Sequence, residues 1–134
     1  MSYRVMLDTN IISNSLRYPD GAAALKFKSF GQGEICISVV VSAELQFGAV
    51  RIGSERLFGQ LREAAQLYDV LPWTAEIVPH YARARAALER AGTPIGPNDL
   101  LIAAHALALD LPLITDNIRE FSRVPNLRVE NWLD

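Results

Sequence analysis

The chain has very little sulfur chemistry available to it: one cysteine, Cys36, among 134 residues. No disulfide can form within it, so the fold must be held by an apolar core alone. It also lacks an apolar run long enough to span a bilayer. The longest, "LLIAAHALALDLPLI", is broken by His105, Asp110 and Pro112. No cationic stretch followed by a long apolar one precedes Asp8, so the expected location is the cytoplasm. There is no repeat, low-complexity tract or linker. The two histidines have no Ser/His/Asp or Cys/His context, and "GQG" does not make a phosphate loop. A basic excess is missing too: the net charge is −2, which speaks against a broad nucleic-acid-binding face.

What is present is a globular composition, half hydrophobic and 21% charged, in a length suited to one domain over residues 1–134. Strand-like and helix-like segments alternate. Residues 3–7 read as a strand. Residues 10–30 read as helical, with a turn at Pro19, Asp20 and Gly21. "EICISVVV" reads as a β-branched strand, after which Ser42 reads as the cap of a helix. A helix over residues 54–67 carries Leu57, Phe58, Leu61, Ala64 and Ala65 at helical spacing. "DVLPW" is a short strand, Thr74 opens a long helix ended by Gly92, and "GPND" opens another. "LPLIT" and "LRVENW" are the last strands, with a helical turn at "DNIREF" between them. This alternation predicts an α/β fold: a central parallel sheet with helices on both faces, a three-layer sandwich.

In such sheets the ligand crevice lies off the carboxyl ends of the strands. Four acids fall there. Asp8 follows the first strand, Glu44 is expected in the first turn of the helix after the second, Asp99 starts the "GPND" helix and Asp116 follows "LPLIT". Each alone is explained by turn or helix-start preference. Four carboxylates converging from separate segments would repel one another unless a cation lies between them. Oxygen donors of this kind suit magnesium, which takes few carboxylates and keeps waters. His105, six residues after Asp99 at about 100° per residue, points away from it; it and His80 read as structural or surface residues.

The strings "LDTN", "SAELQFGA", "IGPNDLLIAAHA" and "LITDNIREFSRVP" resemble, in order, the four acidic motifs of PIN-domain ribonucleases of the VapC toxin type, over almost the whole chain. The resemblance implies a PIN-like α/β/α sandwich and Mg²⁺-dependent endonucleolytic cleavage of RNA, with Mn²⁺ as a substitute ion. It further implies a homodimeric toxin that halts growth by cutting a tRNA or ribosomal RNA loop, inhibited by a VapB-type antitoxin. Carried over, the metal-binding and catalytic acids are Asp8, Glu44, Asp99 and Asp116, with Asp8 and Asp99 innermost; similar toxins often have Asn where Asp116 stands. Thr9, Asn10, Asn98 and Thr115 would hydrogen-bond around them.

With those four acids set apart, 11 acidic residues face 13 basic ones, leaving +2 on the rest. RNA recognition would then depend on shape and a few arginines, with Arg85, Arg119 and Arg123 as candidates. Two other readings compete. An aspartyl-phosphate-forming phosphatase would want a second acid where Asn10 stands. A catalytically silent RNA- or protein-binding module would have no need of all four acids.

Overall fold

The computed structural model describes residues 2–133; the first and last residues of the expected domain lie outside them. Five short strands form one parallel sheet: β1 (Val5–Leu7), β2 (Ile35–Ser38), β3 (Asp69–Leu71), β4 (Leu113–Ile114) and β5 (Val129–Glu130), in the spatial order β3-β2-β1-β4-β5. The central strand β1 puts Met6 opposite Cys36 on one side and Leu113 on the other. Every residue of β1, β2 and β4 is buried, whichever way its side chain points. Strands buried on both faces need cover on both, which the helices supply. The expected α/β architecture is the observed one.

Those helices are α1 (Thr9–Arg17), α2 (Ala22–Lys28), α3 (Val39–Ile52), α4 (Glu55–Ala64), α5 (Val78–Arg90), α6 (Pro97–Leu109) and the single turn α7 (Ile118–Phe121), with a 3₁₀ turn at Ala75–Ile77 ahead of α5. Most begin and end where the sequence says they should. Ser54 caps α4 through its hydroxyl, and Gly53 and Gly92 take the left-handed conformation, φ 71° and 72°, past the ends of α3 and α5. Among the described residues no helix is long and apolar enough to cross a membrane.

One boundary departs from the pattern. The β-branched run after Cys36 does not stay in the sheet: β2 ends at Ser38, and Val39, Val40 and Val41 are the first turn of α3. The cap is Ser38, whose hydroxyl oxygen accepts the Val40 N–H at 3.2 Å, and not Ser42. Strand propensity at the valines is weaker than a satisfied helix start that sinks Val41 fully into the core. Glu44 therefore lies in the second turn of α3, not the first. The apolar residues at helical spacing over residues 54–67 are largely taken up by the core. In α4, Leu61 is buried and Leu57 and Phe58 pack on the core. The exposed large side chains gather on α3 instead, with Val39, Phe47, Val50 and Ile52 between 41% and 65% exposed.

Ser38 has a second contact. Its oxygen lies 2.8 Å from Nδ1 of His105, which is buried in α6. Burial pushes the imidazole below its ordinary pKa, so the ring favours its neutral form and shares one proton with the serine hydroxyl across this contact. One hydroxyl thus caps α3 and ties it to α6. Ser38→Ala loses the cap and strands a buried ring nitrogen, and should cost about 2–4 kcal/mol. Urea unfolding of the two proteins measures it, against about 0.5 kcal/mol or less for Ser42→Ala.

Candidate active site

The carboxyl ends of β1, β2 and β4 open on one edge of the sheet, and the sequence-predicted residues meet there. Asp8 ends β1, caps α1 and is only 5% exposed. Its Oδ1 accepts the Thr9 N–H at 2.8 Å, and its Oδ2 accepts the Thr115 hydroxyl, one residue past β4, at 2.8 Å. Thr9 turns its own hydroxyl to Glu44 Oε1 at 2.6 Å, and the Asn98 amide donates to Glu44 Oε2 at 3.4 Å. Asn10 donates to Asp116 Oδ1 at 3.1 Å. Thr9, Asn10, Asn98 and Thr115 thus supply hydrogen bonds to three of the acids.

Asp99 has a different partner, which sequence reasoning did not single out. At the third position of α6 it lies beside Glu120 of α7, whose Oε1 accepts the Gly96 N–H at 2.9 Å and whose Oε2 accepts the Asn117 amide at 2.5 Å. Gly96 has no side chain with which to cap α6. Glu120, 24 residues away, instead accepts the N–H of Gly96 itself and so pins the start of α6. The signal available in the sequence was that absent cap at "IGP", which says only that some distant acceptor is needed.

The electrostatics follow from this crowding. Burial raises the Asp8 carboxyl above its ordinary range, and Glu44 and Asp116 raise it further against the bonds from Thr115 and Thr9. Asp99 is pushed up to about 7, first by burial, then by its hydrogen bond to Glu120 and the charges of Glu120, Asp8 and Glu44. Glu120 goes the other way. Burial would raise it, but hydrogen bonds from Gly96, Asp99 and Asn117, with the charge of Arg123, hold it below the usual range. Asp99 therefore takes up a proton at a higher pH than Glu120 does, and the two carboxyls divide that role. Acids that must keep a proton in order to coexist leave a place for a cation.

Among the described residues, no three acidic, histidine or cysteine groups are gathered into a ready-made metal cluster. The donor chemistry nevertheless fits a hard divalent ion. The groups are all oxygen, they share one edge, and magnesium normally takes only one or two carboxylates and completes its shell with water. Four other acids carry no such signature: Glu89 pairs with Arg85, Asp110 pairs with Arg128, and Glu63 and Glu130 are exposed.

The three arginine candidates separate. Arg85 is held at 3.0 Å by both Glu89 and Tyr81. Arg123 donates to the Pro94 carbonyl at 3.3 Å and faces Glu120. Arg119 is exposed and has no ion pair among the described residues.

Comparison with known proteins agrees with this geometry. The PIN domain family profile matches residues 5–127. The tRNA(fMet)-specific endonuclease VapC of Shigella flexneri is 38% identical over 96% of this chain and 98% of its own. Ribonuclease VapC2 of Rickettsia felis is 38% identical over 95% of this chain and 96% of its own. The crystal structure of VapBC2 from Rickettsia felis bound to a DNA fragment from their promoter superposes with a TM-score of 0.87 at 35% identity, covering 98% of this chain and 99% of that one. DNA-bound VapBC from Salmonella typhimurium gives 0.89 at 33% identity, over 97% and 98%. With the acid-lined edge, the parallel sheet and these relatives in agreement, the chain belongs to the PIN-domain family, among its VapC ribonucleases.

Proposed function

We propose that the protein is a Mg²⁺-dependent endoribonuclease toxin that cuts a structured RNA, a tRNA or ribosomal RNA loop, and so stops translation and growth in the cytoplasm. The observation that supports this reading is the set of carboxylates at one sheet edge, where burial first, and then Glu120 and the neighbouring acids, push Asp99 up to about 7. Asp8 and Asp99 would hold the ion most directly, with Glu44 and Asp116 at its margin. A bound divalent cation would stabilise charge on the phosphate under attack and lower the pKa of a nearby water. The chain's own contribution is placement. Thr115 and the α1 start fix Asp8, Thr9 and Asn98 fix Glu44, and Asn10 fixes Asp116. Glu120 is the group through which Asp99 keeps or yields its proton.

A ribonuclease of this kind needs restraint in its own cell. The relatives with solved structures are VapBC complexes, and the reading extends to a homodimer held by a VapB-type antitoxin. The exposed α3 face around Phe47, Val50 and Ile52 offers apolar surface for such association. Expression without the antitoxin gene should arrest growth, and co-expression should restore it and yield a copurifying complex. Harmless expression of the chain alone would count against the reading.

Activity tests it most directly. Asp8→Asn and Asp99→Asn should each lower RNA cleavage in Mg²⁺ by at least a hundredfold while circular dichroism stays unchanged, because each takes a charge from the ion's site. Cleavage by a folded Asp99→Asn protein at the wild-type rate would refute the assignment and favour a silent binding module.

Stability in the presence and absence of Mg²⁺ gives a second, independent measure. The folded-state pKa of Asp99, about 7, lies above its ordinary 3.8. Its contribution to stability is therefore full below about pH 4 and is lost as pH rises toward 7. In EDTA, Asp99→Asn should melt above the wild type at pH 8, with the gap closing toward pH 4. Millimolar Mg²⁺ should raise the wild-type Tm at pH 8, less at pH 5.5 where protons compete, and little in Asp8→Asn or Asp99→Asn.

A further inference from the structure

The acids explain how an ion could be held but leave open how a polyanion is drawn to an edge rich in negative charge. A groove of about 520 Å³ begins at that edge, where Thr9 and Glu44 form its end, and runs between α1, α3 and α4. Arg17, Arg51 and Arg56 all line it. They come from three helices, and all three are exposed. None has a carboxylate partner among the described residues, whereas Arg4, Arg85 and Arg128 are each paired with an acid. Glu44 is the groove's one acid, and it is already bonded to Thr9 and Asn98.

Unpaired arginines converging on one groove attract an anion, and their planar forks suit phosphate in particular. Arg51 lies seven residues beyond Glu44 on α3, about 10 Å along the helix, a distance covered by roughly three nucleotides of a stacked strand. The Arg51 guanidinium also sits 5.5 Å from the ring centre of Phe47, which is 63% exposed. An exposed aromatic ring beside an arginine is the pairing on which unstacked RNA bases rest. The apolar floor, with Leu45, Leu57 and Leu61, suits sugar and base faces. We propose that this groove is the track for the single-stranded RNA flanking the cleaved bond, with Arg17, Arg51 and Arg56 holding its phosphates. This rests on the ribonuclease reading for its direction, since the strand would lead into the acids at Glu44. Arg85, Arg119 and Arg123 have no place in the groove.

The test separates the groove from the chemistry. Fluorescence anisotropy of a labelled single-stranded RNA is measured in EDTA, where no cleavage is expected, for the wild type and for Arg17→Gln/Arg51→Gln/Arg56→Gln. A control, Arg62→Gln/Arg83→Gln/Arg90→Gln, removes three other exposed arginines that lie outside the groove. The groove variant should bind at least tenfold more weakly, and the slope of log affinity against log salt should fall by about 2. The control should change by less than threefold. In Mg²⁺, the groove variant should lose kcat/KM mainly through KM. RNA binding equal to the wild type, or an equal loss in the control, overturns the proposal while leaving cleavage by the wild type to judge the ribonuclease reading. So does a variant that binds RNA normally but releases the copurifying inhibitor protein, since the groove is then a protein-docking surface. If the wild type binds RNA through these arginines yet never cleaves it, the groove stands and the nuclease reading fails.

Discussion

A carboxylate buried at the end of the central strand is the constraint around which the rest of this molecule is arranged. Asp8 is nearly inaccessible, accepts two hydrogen bonds and faces further acids. Removing a charge from water is costly unless donors replace the solvent. The donors here come from the start of α1 and from Thr115 beyond the neighbouring strand. The sheet order explains why those two segments are available. From β1 the chain moves outward to β2 and β3, then crosses back to place β4 on the other side of β1. The reversal falls between β1 and β4, and crevices in parallel sheets open at such reversals. The Thr115–Asp8 bond spans that switch point.

The fold therefore determines where the acids meet, while their hydrogen-bond partners determine how far each may titrate. Asp99 and Glu120 show the division most clearly. Glu120 receives three hydrogen bonds and an arginine's field, so it retains its charge; Asp99 receives burial and repulsion, so it retains the proton. The same Glu120 oxygen that accepts from Gly96 also pins the start of α6, the helix that carries Asp99. Loosening that contact would shift the helix start and the pKa of its acid together. Ser38 plays a comparable part at depth, since it starts α3 and is bonded to His105 of α6, so the helices bearing Glu44 and Asp99 share one internal anchor.

Much of this was legible in the sequence, for reasons that are local. Asp8 and Asp116 stand where apolar strands stop, and Asp99 stands in the first turn of a helix that "GP" announces. Thr9, Asn10, Asn98 and Thr115 are neighbours of those acids in the chain and remain so in space. Glu44 was identified, but with the wrong helix register, because three valines after a strand carry no sign of helix until Ser38 is seen to cap them. Glu120 was not legible. Its role depends on a glycine that cannot cap its own helix, and that relation exists only once α6 and α7 pack together. Arg85 illustrates the converse: its partners Glu89 and Tyr81 are each one helical turn away, so the helical spacing alone signalled that it was already engaged.

The distribution of charge matters more than its sum. A net charge of −2 suggests indifference to nucleic acid, yet that figure adds a compact acidic edge to a surface that is otherwise slightly basic. An ion held by the acids would cancel much of the edge's field within a Debye length, about 8 Å at physiological salt. The approaching strand would then meet mainly the unpaired arginines. Without the ion, the same edge repels the phosphates that those arginines attract. Binding of a polyanion close to the acids and of an ion by the acids would thereby be coupled through electrostatics alone, with no conformational change required. Such a surface would engage a polyanion fully only with an ion in place.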